Sequence, residues 1–170
     1  MTVAGSAKIP VTRGWTKVDA KVRDSRKFRF VNTHLEAFDD ETQRPSIRAK
    51  QAGELVAPGG PAVSGLPVVL VCDCNSNDPG VQPGDEQAFQ ALAGAGFVKR
   101  DTSNPLSCCL NDPNLVGGAP SDWDHKVDHV LTDAPKKVKR KRSNVSGIGT
   151  ANGLWPSDHA GVFSALKIKR

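Results

Sequence analysis

The chain has 170 residues, enough for one domain with a real core or for part of a larger one. Hydrophobic residues are 38%, charged residues 24%, and 16 glycines with 12 prolines promise a soluble, turn-rich fold. No apolar run approaches the ~20 residues that cross a bilayer, and residues 1–10 lack the apolar stretch of a signal peptide, so no location is assigned.

Residues 1–14 read as a lead-in and 15–170 as the domain. Trp15 to Val22 alternates apolar and polar residues, which predicts a strand with one wet face. Asp24-Ser25 makes a turn, and Lys27 to His34 alternates again with Phe28, Phe30 and Asn32 on one side, so the two segments read as a hairpin. It ends in the polar cluster Asn32-Thr-His-Leu-Glu36. An acidic loop over 37–46 follows. Ser46 then caps a helix with Ile47, Ala52, Leu55 and Gln51 facing inward, which Pro58-Gly-Gly-Pro61 stops.

Leu66-Pro-Val-Val-Leu-Val-Cys-Asp-Cys-Asn-Ser76 organises the rest. A short β-branched run bounded by proline and a polar cluster predicts a strand buried on both faces, with Asp73 at its C-terminal end. Asp73 and Asn75 are two apart, so on an extended chain both point to one side. Ligands collect at the carboxyl ends of such strands. Residues 79–84 form a loop, and Glu86 to Ala93 a short helix with Phe89 and Leu92 inside, stopped by Gly94 and Gly96. Residues 97–110 are irregular, and 111–124 form a long Gly/Pro/Asp loop of the kind that is often functional. Lys126 to Leu131 is a strand with Asp128 in an apolar frame. Lys136 to Val145 reads as an edge strand and Val162 to Ile168 as an alternating terminal strand.

The net charge of +5 is uneven, because residues 135–142 carry six cations in eight positions. Such a run suits a phosphate backbone or a nuclear address. The plainer reading, a solvated edge strand kept from aggregating by its lysines, is preferred. A nucleic-acid surface would also favour stacking aromatics, and the chain has no tyrosine and only three tryptophans. The cysteines fall as Cys72, Cys74, Cys108 and Cys109, spacings unlike those of structural zinc. Neighbouring cysteines do not bridge easily, so the expectation is buried free thiols or one bridge between the two pairs.

Four clusters combine acid, amide and imidazole near strand ends: Asn32/His34, Asp73/Asn75, Asp128 and Asp158/His159. Taken singly each is weak, since a lone histidine is more often structural or merely exposed than catalytic; together they suit metal-assisted phosphoester hydrolysis. A hard cation such as Mg²⁺ wants carboxylate oxygens and polarises a phosphoryl oxygen. Asp73 can take a proton from water, with Asn75 orienting it, and histidines beside carboxylates can clamp developing phosphate charge.

The ordered motifs Asn32-Thr-His-Leu-Glu36, Val71-Cys-Asp-Cys-Asn-Ser76, Val127-Asp-His-Val130 and Ser157-Asp-His159 resemble those of the endonuclease/exonuclease/phosphatase superfamily. Gly153-Leu-Trp-Pro-Ser-Asp-His-Ala-Gly161 and Ser107-Cys-Cys109 resemble bacterial members of it. The resemblance implies a deoxyribonuclease-I-like four-layer α/β sandwich, matched in its C-terminal part only, and a phosphodiesterase of nuclease or phospholipase-like type using Mg²⁺, Mn²⁺ or Ca²⁺. It implies that His34 contacts the scissile phosphate, with Asn32 beside it. Asp73 orients the water, Asn75 binds phosphate, Asp158 helps hold the metal, and His159 pairs with Asp128. Glu36 follows the pattern loosely and receives no role.

The chain departs from the family in two ways. Cys72 and Cys74 flank Asp73, where the family usually has glycine and an apolar residue. Family domains run to about 250 residues, near the ceiling for a single core, and their N-terminal strands supply an asparagine and the principal metal-binding glutamate. No counterpart of either is found before Trp15. A half-sandwich exposes an apolar face, so a second copy or the missing N-terminal half is expected to cover it. The alternative function is a degenerate member that binds phosphorylated ligands or nucleic acid with little catalysis.

Overall fold

Strand alternation decides which side chains meet, and two apolar clusters on opposite faces of one sheet record the outcome. The structure is a computed structural model that describes residues 12–23, 26–39, 42, 44–81, 84–101, 106–110, 112 and 114–169. The lead-in up to residue 11, the turn at Asp24-Ser25, and parts of the loops expected at 37–46, 79–84, 97–110 and 111–124 lie outside the described residues.

β1 (Trp15–Val22) pairs antiparallel with β2 (Arg26–His34). β2 runs parallel to β3 (Val68–Asp73), the expected central strand. β5 (Asp128–Thr132) lies antiparallel on the other side of β3. A two-residue β4 (Val98–Lys99) adds to β5, so the segment expected to be irregular contributes an edge, and the order is β1-β2-β3-β5-β4. β6 (Val138–Ser146) and β7 (Gly161–Ile168) form a separate antiparallel pair.

On one face Val31, Val68, Leu70, Cys72 and Leu131 pack against two helices, α1 (Ile47–Val56) and α2 (Gln87–Gly94). On the other, Phe28, Phe30, Val69, Val71 and Val130 meet Val138, Val162, Leu166 and Ile168 of the small sheet. Helices, main sheet and second sheet are three layers of the expected α/β sandwich. Leu70, Leu131 and Val31 are almost wholly buried, each contributing about 1.5–3 kcal/mol relative to exposure.

Ser46 caps α1 as expected, its Oγ accepting from the Ala49 N–H. Ile47, expected inside, is 42% exposed. The inward arc of α1 is Arg48, Ala49, Ala52 and Leu55, and at 3.6 residues per turn Ile47 falls off it while Gln51 lies at its rim. β1 also departs from expectation, because it is exposed on both faces rather than one. It pairs only with β2, and no layer among the described residues covers it.

Candidate active site

Register builds the first part of the site. His34 is the β2 partner of Asp73, and Asp73 is the β3 partner of Asp128. The three residues therefore form one row across three strands, close to 10 Å wide at the usual strand spacing. Alternation puts Asp73 on the side of Val69 and Val71, and Asp128 on the side of Val130, facing the small sheet. The row ends at the carboxyl ends of β2 and β3. His34 Nε2 lies 3.4 Å from Asp73 Oδ2. Its side chain is half exposed, whereas that of Asp73 is mostly covered.

The second part arrives from the segment before β7. His159 Nδ1 is 3.1 Å from Asp128 Oδ2 and 3.9 Å from Asp73 Oδ2. Ser107 Oγ donates to the same Asp128 oxygen at 2.8 Å. The His159 N–H donates to Ser157 Oγ at 3.0 Å, and the Ala160 N–H to Ser107 O at 2.7 Å. A small apolar cluster of Leu110, Trp123, Trp155 and Ala160 anchors this segment. Trp123 and Trp155 meet edge to face at 5.9 Å, and Trp155 Nε1 donates to Gly117 O at 2.7 Å. The long loop thus has a core of its own, and that core places His159.

Electrostatics follow from these contacts. Burial, and next the neighbouring Asp128 charge, push the Asp73 carboxyl above its ordinary pKa, against the Asn75 N–H and the two histidines. His159 moves up chiefly through its hydrogen bond to Asp128, aided by the charges of Asp128, Asp73 and Asp158. The imidazolium is favoured, and Nδ1–H to Asp128 fixes the ring with Nε2 3.2 Å from Cys108 Sγ.

Four expected site residues, His34, Asp73, Asp128 and His159, come together as one group. Asn75 is near but differently arranged. It leaves the extended conformation with φ +45, so the two-residue alternation from Asp73 does not carry to it. Its N–H donates to Asp73 Oδ1 at 3.0 Å, and its Nδ2 donates to Leu35 O at 3.0 Å. The carboxamide thereby holds the β2 and β3 ends together. Asn32 is exposed and lines an open groove with Trp15, His34 and Asp73. Asp158 is exposed, and its carboxylate accepts from Ser157 Oγ at 3.3 Å. It lies outside the tight Asp73–Asp128–His159 group.

Sequence reasoning missed Ser107 and Arg48. Buried Arg48 donates to Asn75 O and to Ala37 O, and lies beside Asp39 and Asp85. An arginine in a helix that also reads as amphipathic carries no signal of such a role. Glu36, given no role, is buried and pairs with Arg13.

The cysteine expectation is overturned. The bonds join Cys72 to Cys74 and Cys108 to Cys109, within each pair rather than between them. Cys72 faces the helix side of the sheet, while Cys108 lies in the loop segment that carries Ser107. The two pairs are therefore held by different parts of the fold.

A divalent cation fits this donor set. Asp73 and Asp128 offer carboxylate oxygens within 4.8 Å of each other and of the His159 ring. The mutual repulsion of the two carboxylates is the kind a hard cation relieves.

No protein-family model and no curated protein matches the sequence. Solved structures do match. An endonuclease/exonuclease/phosphatase from Bacteroides vulgatus superposes with a TM-score of 0.67 at 17% identity, over 92% of this chain and 56% of that one. The human Nocturnin catalytic domain with bound sulfate superposes with 0.61 at 14% identity, over 94% and 54%. The mannosyl-6-phosphatase Bt3783 of Bacteroides thetaiotaomicron gives 0.56 at 19% identity, over 91% and 57%. At such identities the likeness is one of fold, and the chain spans little more than half the length of these three structures.

Proposed function

We propose that this chain, whose fold is that of endonuclease/exonuclease/phosphatase proteins, carries the reaction centre of a divalent-cation-dependent phosphoester hydrolase, with phosphodiesters as the preferred class. The observation that carries the reading is the row His34–Asp73–Asp128 with His159 locked against Asp128.

Asp73 sits between the two imidazoles and orients the attacking water through Oδ2. Its upward shift brings it closer to working pH and makes it a better proton acceptor. His159, whose charged form is favoured chiefly by its hydrogen bond to Asp128, presents positive charge where phosphoryl charge develops. His34, at the open end of the row, contacts the phosphate and can protonate the leaving oxygen. Asn32 lines the entrance, and Asn75 fixes the loop after β3. Asp73 and Asp128 would hold a divalent cation, which polarises the phosphoryl oxygen and steadies the leaving group; Asp158, exposed and outside this group, is a further ligand only if it swings in. The neighbours named for phosphatase or nuclease chemistry support the class but not the substrate, since loops choose substrates on a shared fold.

Hydrolysis of bis(p-nitrophenyl) phosphate with Mg²⁺, Mn²⁺ or Ca²⁺ tests this. Asp73→Asn should lower the rate by about 10²-fold or more. Equal rates for the two proteins would sink the assignment.

A second reading is binding with little turnover until a partner covers the exposed Trp15, Val18 and Phe163, the observation that favours it. A covering partner, either a second copy or the remaining half of the sandwich, then completes the site. The solution mass with and without Mg²⁺ separates these: a dimer, or activity only on adding the other half, supports a covering partner, while an active monomer removes the need for one.

A further inference from the structure

Three short segments lie side by side behind the row. Cys108 bridges the backbone of His125 on one side and that of His159 on the other. The His125 N–H donates to Cys108 O at 3.0 Å, and the Cys108 N–H returns to His125 O at 3.1 Å. The cysteine pair is therefore placed by backbone ladders between two histidines. Cys108 Sγ lies 3.2 Å from His159 Nε2. Cys108, Cys109 and His159 each offer a ligand atom within 4.8 Å of the others, and Cys109 stands in the same relation to Asp124 and His125.

We propose that Cys108, Cys109 and His159 form a binding site for a soft divalent cation of the zinc class, closed while the two sulfurs are bonded to each other and opened by a dithiol reductant. Thiolate and imidazole donors select such a cation over Mg²⁺. Tetrahedral zinc with its usual sulfur and nitrogen bond lengths sets S and N about 3.5 Å apart, a few tenths of an ångström beyond the separation already present. His159 is already prepared as a ligand. Its Nδ1 is engaged by Asp128, and a carboxylate on the far nitrogen is the usual support of a metal-bound imidazole.

The opening step balances. A dithiol gives two electrons and two protons to the Cys108–Cys109 bond and leaves as its cyclic disulfide; the two thiols and the His159 Nε2–H then pass their protons to solvent as the sulfurs and the ring take the cation. Occupation would consume Nε2 of His159 and so remove the ring charge used in the proposed hydrolysis. Inhibition of that reaction rests on the function proposed above; the binding itself does not.

Cobalt(II) chloride titrated into the full chain, with and without prior dithiothreitol treatment and removal of the reductant, tests the site. We expect a thiolate-to-cobalt charge-transfer band that saturates at one equivalent, only after reduction, and is displaced by zinc. Cys109→Ala should abolish it, and His159→Ala should weaken binding at least tenfold. Cys72→Ala, Asp73→Asn and His125→Ala should keep it. A band without reduction, one that survives Cys109→Ala, or one lost in Cys72→Ala overturns the proposal. If Cys109→Ala does not fold, alkylation mapping of the reduced wild type decides: zinc must shield Cys108 and Cys109, and equal labelling with and without zinc overturns the site. Zinc binding in a protein that hydrolyses no phosphoester leaves this site standing and removes the proposed function alone.

Discussion

Replacing Asp128 with asparagine isolates the contact that holds His159. Asp128 Oδ2 accepts from His159 Nδ1 at 3.1 Å and from Ser107 Oγ at 2.8 Å. Hydrogen bonds to a charged group contribute about 1.5–3 kcal/mol against about 0.5–1.5 for neutral pairs. Losing the charge on two such bonds therefore costs about 2 kcal/mol. Relief of the repulsion between Asp128 and Asp73 offsets part of this. The sign with pH follows from His159. Asp128 raises its folded pKa, so the stabilisation is full below the unfolded value and is lost as pH rises through the folded one. Urea unfolding of Asp128→Asn should show its largest deficit near pH ~6, below the ordinary histidine value of about 6.5, and a smaller one near pH ~9. Titration of the His159 ring by NMR should show its pKa falling, and that of Asp73 should fall with it. An unchanged His159 titration, or a deficit equal at the two pH values, would refute the coupling.

Three further outcomes are expected. Arg48→Met should destabilise by about 3–5 kcal/mol, because it leaves buried Asp39 and Asp85 without their cation; a thermal melt within a degree of wild type would contradict this. Trp155→Ala should cost about 3–5 kcal/mol, through its lost packing on Trp123 and its bond to Gly117. Chemical denaturation measures it, and any hydrolysis should fall as the His159 segment loosens. Asp73 and His159 both have raised folded pKa values, so the folded chain binds more protons than the unfolded one in the window just above the ordinary carboxylate value for Asp73 and just above the ordinary histidine value for His159. Stability contributed at this site should therefore fall as pH rises through that window. Mg²⁺ should flatten the fall by neutralising Asp73, and melting curves against pH with and without Mg²⁺ check both.

The strands were legible because their signal is local. Phe28 and Phe30, or Val69 and Val71, alternate along the chain, and the same alternation puts them on one face of the sheet. The helix over 47–56 was legible from its cap and its stop, but not its inward arc: burial of Arg48 depends on Asp39 and Asp85, which arrive from other elements. The same holds for Asn75. Its spacing from Asp73 predicts a shared face, yet the chain turns at that residue to bond Leu35 O.

The sequence by itself determined which residues could do chemistry and near which strand ends they stand, since residue type and period are local properties. Only the tertiary structure decided that His34, Asp73 and Asp128 share one row, because register between strands is set by packing across the sheet. It alone brought Ser107 and Cys108 to Asp128 and His159, through loop segments with no period to read. And it alone paired the cysteines within their own neighbourhoods, because bonding depends on where side chains meet in space and not on how far apart they stand along the chain.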